Sequence, residues 1–277
     1  MLKDKAYAKI NAALNIKGVR EDGYHELEML NLPVDYYDTV RMIESPEMDV
    51  FSNIDLPANN SLIKAVECAR EVFGFTQNFT IVLEKNIPFE SGLGGGTADA
   101  ASVLRLLKQH LHLEDREEDF LKIAAKVGAD VPFQYVNRPC ITEGIGEKLE
   151  PVRLRHLYWV LLVKPNSGVS TPKAFAKYDE IGGSHPDVRK LAEAMESGNL
   201  AGIAATRGNS LEEAAFTLNR QIEPILHEMR RMGLEASGMS GSGSTVFAIH
   251  DDKRVLDMAK KMFEKRFNFT AVCRILV

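Results

Sequence analysis

Ser91-Gly92-Leu93-Gly94-Gly95-Gly96-Thr97-Ala98-Asp99 is the stretch on which the reading of this chain turns. It stands between an apolar strand candidate, Phe79 to Glu84, and a segment with Ala100, Leu104, Leu107 and Leu111 at helical spacing, which predicts a helix from about Thr97 to His110. Glycines in a strand-to-helix connection let successive N–H groups turn toward one point, and the helix dipole adds positive potential there. Phosphate is the natural guest of such a turn. The chain contains no Gly-Lys-Ser or Gly-Lys-Thr, and the run does not fit GxGxxG with a downstream acid, so neither the Walker A loop nor the Rossmann fingerprint is present.

Upstream of the run, residues 6 to 16 alternate, with Ala6, Ala8, Ile10, Ala12, Leu14 and Ile16 on one face of a strand. The other face sets Lys9 and Asn11 side by side, either as a solvated surface or in a cleft. A turn at Glu21-Asp22-Gly23 leads to Tyr24-His25-Glu26-Leu27, and strands are expected at Asp38 to Ile43 and Met48 to Ser52. Ser61 to Phe73 reads as a helix capped by Asn60 or Ser61. A further helix is expected from Asp115 to Val127, with Asp115 and Glu118 as a capping box and Gly128 as its stop. Asp130 follows in Ala129-Asp130-Val131-Pro132, where it could cap the next turn or serve as a base.

Beyond a boundary placed near residue 152, the apolar run Leu157 to Val163 reads as a buried strand. Helices are expected around Pro172 to Tyr178, Pro186 to Ser197, Leu211 to Phe216 and Arg220 to Met232. A second small-residue cluster, Met239-Ser240-Gly241-Ser242-Gly243-Ser244-Thr245, is as compatible with a plain loop as with an anion site. Val246 to His250, Lys253 to Phe263 and Thr270 to Val277 then read as strand, helix and strand. Strands and helices mix without a regular repeat, so the class is α+β.

Composition narrows the function. The chain has 277 residues and a net charge of −5 with no basic block, which argues against nucleic acid as the main partner. Its apolar runs are far shorter than the ~20 residues of a membrane span. The charged N-terminus shows no secretory pattern, and Cys68, Cys140 and Cys273 are too scattered for bridges or zinc, so a cytoplasmic protein with reduced thiols is expected. No cluster of metal ligands is visible, and oligomeric state is not legible.

Ala8-Lys9-Ile10-Asn11, Arg20 to Leu27, Pro88 to Ala101, Gly128 to Pro132 and Met239 to Phe247 together resemble the GHMP (galactose, homoserine, mevalonate, phosphomevalonate) kinase superfamily, in that family's order and over nearly the whole chain. Asp22-Gly23-Tyr24-His25 close behind Ala8-Lys9-Ile10-Asn11 is similar to the branch that takes a cytidyl substrate. The resemblance implies a two-domain fold, a ribosomal-protein-S5 domain-2-like unit over 1–152 and a ferredoxin-like unit over 153–277, with the active site between them. It implies transfer of the ATP γ-phosphate to the 2-hydroxyl of 4-diphosphocytidyl-2-C-methyl-D-erythritol, a step of the non-mevalonate isoprenoid route, with Mg²⁺ held mainly by phosphates and water. A kinase for another small alcohol or sugar, or a non-catalytic nucleotide binder, are the alternatives.

The resemblance also distributes roles. Lys9 and Asp130 match the catalytic pair; Asn60 and Lys85 match the adenine contacts; Pro88-Phe89-Glu90-Ser91-Gly92-Leu93-Gly94-Gly95-Gly96-Thr97-Ala98 matches the phosphate wrap. Asn11, Tyr24 and His25, with Thr171, Pro172 and Phe175, match the acceptor site, where Tyr24 and Phe175 would stack the cytosine and His25 would read its edge. Gly241, Ser242 and Gly243 form the third glycine motif. Three positions depart from the family pattern: Thr97-Ala98 stands where two serines are usual, Ser244 where proline is frequent, and Ala12-Ala13 where a bulkier residue follows Asn11.

Overall fold

The computed structural model describes residues 1–56 and 60–277. Two long strands, β1 (Leu2–Val19) and β2 (His25–Ser45), precede β3 (Asp49–Ser52), α1 (Ser61–Phe73), β4 (Asn78–Glu84), α2 (Gly95–His110), α3 (Glu117–Val127) and α4 (Val131–Val136). The chain continues through β5 (Cys140–Gly144), β6 (Lys148–Pro151), β7 (Trp159–Lys164), α5 (Thr171–Ile181), α6 (Val188–Glu196), α7 (Leu200–Thr206) and β8 (Gly208–Asn209). It closes with α8 (Glu212–Leu218), α9 (Ile222–Arg231), β9 (Ser237–Met239), β10 (Val246–His250), α10 (Lys253–Phe263) and β11 (Phe269–Arg274). No helix among the described residues is long and apolar enough to cross a membrane.

These elements form two compact units that interleave along the chain. One comprises Met1–Ala8, Tyr36–Ile87 and Gly94–Asn137; the other comprises Lys9–Asp35, Pro88–Leu93 and Arg138–Val277. The boundary expected near residue 152 falls inside the second unit, because β5 pairs with Leu27 to Asn31 of β2 and with β6, which draws the chain from Arg138 onward into that unit.

In the first unit, β4 runs antiparallel to the C-terminal half of β2, from Thr39 opposite Glu84 to Ser45 opposite Asn78, and parallel to β3. Val40, Met42, Phe79, Ile81 and Leu83 from these strands share a core with Leu62 and Val66 of α1, Leu104 and Leu107 of α2 and Phe120 of α3. Helix α1 has the expected limits: Asn60 Oδ1 accepts the Ile63 N–H at 3.1 Å, and Gly74, left-handed at φ 69°, ends it. Helix α3 departs from expectation. It starts after Arg116 with no side-chain cap, so Asp115 and Glu118 do not form a capping box; Glu117, Glu118 and Asp119 instead place negative charge on its first turn. Gly128 ends α3 as expected, with an extended backbone at φ 178° and its N–H donating to Ala124 O.

The second unit carries a four-stranded antiparallel sheet ordered β11-β7-β10-β9. Counted by appearance that order is 4-1-3-2, with helices after the first and third strands, which is the ferredoxin-like arrangement. Ile222, Ile225, Leu226 and Met229 of α9 and Leu256, Ala259 and Phe263 of α10 cover it at helical spacing. Here also β5 pairs with Leu27 to Asn31 of β2 and with β6, and β8 lies parallel to β1 at Ala13 and Leu14. The expected face of β1 from Ala6 to Ile16 is buried, and so are Lys9, Asn11 and Ala13 on the opposite face. The solvated reading of that second face is therefore excluded.

Candidate active site

Lys9 is 4% exposed, and its Nζ donates to Asn11 Oδ1 at 2.7 Å. An ammonium can only donate, so it fixes the Asn11 amide with its oxygen toward Lys9. Asn11 Nδ2 then donates to Asn31 Oδ1 at 2.5 Å, and Asn31 Nδ2 to Thr142 Oγ1 at 2.9 Å. All four residues are buried, and the orientation of each polar group is dictated by the one before it. This chain sets the position of Lys9 from β1, β2 and β5. Asn11, expected at the acceptor site, has both side-chain polar atoms engaged in it.

The first half of the glycine run is clamped by the third glycine motif. The Lys9 N–H donates to Leu93 O at 3.0 Å, the Thr245 N–H to Ser91 O at 3.1 Å, and Ser240 Oγ to Gly92 O at 2.8 Å. Ser240 Oγ also accepts the Asn11 N–H at 3.1 Å. Gly92 is left-handed at φ 73°, and a Cβ there would collide with the Ser240 carbonyl. The motif is held in turn by Asn209, whose Nδ2 donates to Met239 O at 2.9 Å and Gly241 O at 2.7 Å. Ser242 Oγ lies 2.8 Å from Thr171 Oγ1, at the start of α5, where Pro172 occupies the first turn. Within Pro88 to Ser91, Phe89 is half exposed and Glu90 takes a left-handed backbone at φ 47°.

Gly94, left-handed at φ 69°, is the N-cap of α2 and brings no side chain to its first-turn N–H groups. Those N–H groups and the dipole of a 16-residue helix are the donor set that suits an anion. Thr97 Oγ1 donates to Gly94 O at 2.9 Å, while Ala98 is buried. Under this turn sits a buried charge cluster that the sequence reading missed. Lys85 Nζ is bound by Asp38 Oδ2 and by Asp99 Oδ2, the latter at 2.8 Å, and Asp38 Oδ1 accepts the N–H groups of Asn86 at 2.5 Å and Ile87 at 2.7 Å. Burial, opposed in part by Lys85 and reinforced by Asp38, lifts the Asp99 carboxyl to about 7. The two residues matched to adenine contacts thus have structural partners: the Lys85 ammonium holds two carboxylates, and the Asn60 oxygen caps α1.

Asp130 precedes α4 but gives it no side-chain cap, so of its two sequence readings the capping one is not realised. Among the described residues no group of three or more His, Cys, Asp or Glu could hold a metal ion.

The third patch lies where β2 begins and α5 passes. His25 Nε2 lies 2.7 Å from Asp179 Oδ1, the His25 ring stacks on Phe175 with centroids 4.8 Å apart, and Tyr178 meets it edge-on at 6.1 Å. His25 and Phe175, 150 positions apart in sequence, are brought together by the fold. Tyr24 is 62% exposed at the turn.

Known proteins resemble this chain over its length. The family model for the GHMP kinases N terminal domain matches residues 60–138, and that for the GHMP kinases C terminal domain matches residues 184–268. The chain belongs to the GHMP kinases. It is 35% identical to the 4-diphosphocytidyl-2-C-methyl-D-erythritol kinase of Clostridium beijerinckii, over 99% of this chain and 100% of that protein. The kinase of the same name from Bacillus cytotoxicus is also 35% identical, over 91% of this chain and 89% of its own. A solved 4-(cytidine 5'-diphospho)-2C-methyl-D-erythritol kinase superposes with a TM-score of 0.83 at 30% identity, over 99% of both chains. A phosphomevalonate kinase of Streptococcus pneumoniae, at 15% identity and a TM-score of 0.72, shares the fold. Within the GHMP kinases, then, the chain falls in the 4-diphosphocytidyl-2-C-methyl-D-erythritol kinase family. Asn31, Asp38, Asn209 and Asp179, which the sequence reading missed, are second partners of motif residues or loops that no local spacing marks; Asp99 and Ser240 lie inside quoted motifs but were given no role there.

Proposed function

We propose that the chain transfers the γ-phosphate of ATP to the 2-hydroxyl of 4-diphosphocytidyl-2-C-methyl-D-erythritol, in the formation of isoprenoid precursors. The full-length likeness to kinases of that name carries this reading. Transfer through a loose transition state asks for positioning, charge stabilisation and an acceptor for the hydroxyl proton. Asp130 accepts the proton of the 2-hydroxyl, a role supported by its match to the family's catalytic aspartate in Gly128 to Pro132. Lys9, held by the Asn11–Asn31–Thr142 chain, neutralises the charge that develops on the transferred group. The clamped residues Pro88 to Leu93 and the open first turn of α2, from Gly94 to Ala98, wrap the triphosphate.

Mg²⁺ bound chiefly by phosphate oxygens and water would supply further charge neutralisation on the nucleotide. Tyr24, His25 and Phe175 receive the cytosine, with Thr171 and Pro172 at the neighbouring start of α5. The chain works in the cytoplasm on small molecules, without nucleic acid or membrane partners.

The test is an ADP-release assay with the cytidyl alcohol, homoserine, mevalonate, phosphomevalonate and galactose as acceptors. Release above background only with the cytidyl compound is expected. Faster turnover of any other acceptor would overturn the assignment.

A further inference from the structure

Asp179 belongs to none of the motifs, yet its carboxylate is the hydrogen-bond partner of His25, at 2.7 Å from Nε2. A carboxylate accepts and cannot donate, so the imidazole nitrogen facing it must carry the hydrogen. In a neutral imidazole the other nitrogen, Nδ1, is then a bare acceptor. Nδ1 has no hydrogen-bond partner among the described residues. The ring itself is held by Phe175 stacked on one face and Tyr178 against its edge, so it cannot swing freely to exchange the two nitrogens.

We infer that Asp179 is a specificity-setting residue: by holding the proton on Nε2 of His25, it presents Nδ1 as an acceptor for an exocyclic amino group and so selects an aminopyrimidine over an oxopyrimidine. Cytosine carries an amino donor at C4, whereas uracil carries an oxygen there, which would face the Nδ1 lone pair and leave both groups unpaired. Sites that read a base by hydrogen bonds reject the mismatched group far more strongly than lost contact area would require. The inference rests on the cytidine-site reading given above.

Two measurements on the full chain test it. Long-range ¹H–¹⁵N correlation of ¹⁵N-histidine-labelled protein at pH 8 reads the tautomer without substrate. A bare Nδ1 and a protonated Nε2 at His25 are expected, and a protonated Nδ1 would overturn the inference. The second compares kcat/KM for the cytidyl alcohol and its uridyl counterpart in wild type and in Asp179→Asn, whose amide can either donate or accept. Asp179 is half exposed on α5, so the fold should tolerate the change. Wild type should prefer the cytidyl compound at least 100-fold, and Asp179→Asn should lose at least tenfold of that preference with KM for ATP unchanged. No preference in wild type would sink the cytidine site itself. Preference in wild type that persists undiminished in Asp179→Asn would leave that site standing and remove Asp179 from it.

Discussion

Lys9 and Asp130 have different chemical roles, and those roles predict how their variants fail. Asp130→Asn retains volume while removing the proton acceptor, so kcat should fall by about 10²–10⁴ while the ATP dissociation constant stays within a few-fold. Turnover close to wild type would exclude Asp130 as the base. Lys9→Ala also strips a buried donor from Asn11, so a loss of kcat accompanied by a lower thermal midpoint is expected. A change in KM alone would make Lys9 a binding residue. Asp99 carries a separate signature in pH. With its folded pKa lifted to about 7, Asp99 keeps a proton that the unfolded chain releases above about pH 4. Its contribution to stability is therefore complete below that lower value, declines as pH rises toward 7, and is gone above it. Asp99→Asn should flatten the fall in thermal midpoint across this window, and identical slopes in the two proteins would contradict the assignment.

At the scale of elements, the glycine run divides into positions that need glycine for the fold and positions that need it for the ligand. A Cβ at Gly95 would stand 2.7 Å from Lys85 Nζ and 2.9 Å from Ile87 Cγ2, so Gly95→Val should lower the thermal midpoint by pressing on the buried ion pair. At Gly96 the nearest atom is Ser61 Oγ at 3.9 Å and the backbone is helical, so Gly96→Ala should keep or slightly raise stability. It should nevertheless weaken ATP binding at least tenfold in a calorimetric titration, and unchanged binding would show that the first turn of α2 does not hold phosphate. What was legible in sequence follows the same division. The limits of α1, β10 and α10 are readable because caps and periodicity are local signals. The first half of β2 was not, since Leu30, Leu32 and Val34 are buried with their neighbours, leaving no alternation, and Pro33 lies among them. The two-residue β8 and the hairpin of β5 and β6 depend on pairing with distant strands.

For the whole molecule, the site motifs could be found in sequence but not the network that fixes them. Lys9 and Asn11 are two residues apart on a strand, so their contact was predictable. Asn11 and Ser240 are 229 residues apart, and His25 and Asp179 are 154 apart, distances at which only the fold brings partners together. The interleaved units have the same origin, since β1 and β2 each supply residues to both. The claim that joins all of this is phosphoryl transfer to one particular hydroxyl. Its most direct test is ³¹P NMR of the product formed from ATP and 4-diphosphocytidyl-2-C-methyl-D-erythritol. A single new phosphomonoester on the 2-hydroxyl, an intact diphosphate bridge to cytidine and one ADP per product are predicted; phosphate at another position, or ADP and inorganic phosphate with the acceptor unchanged, would contradict the account.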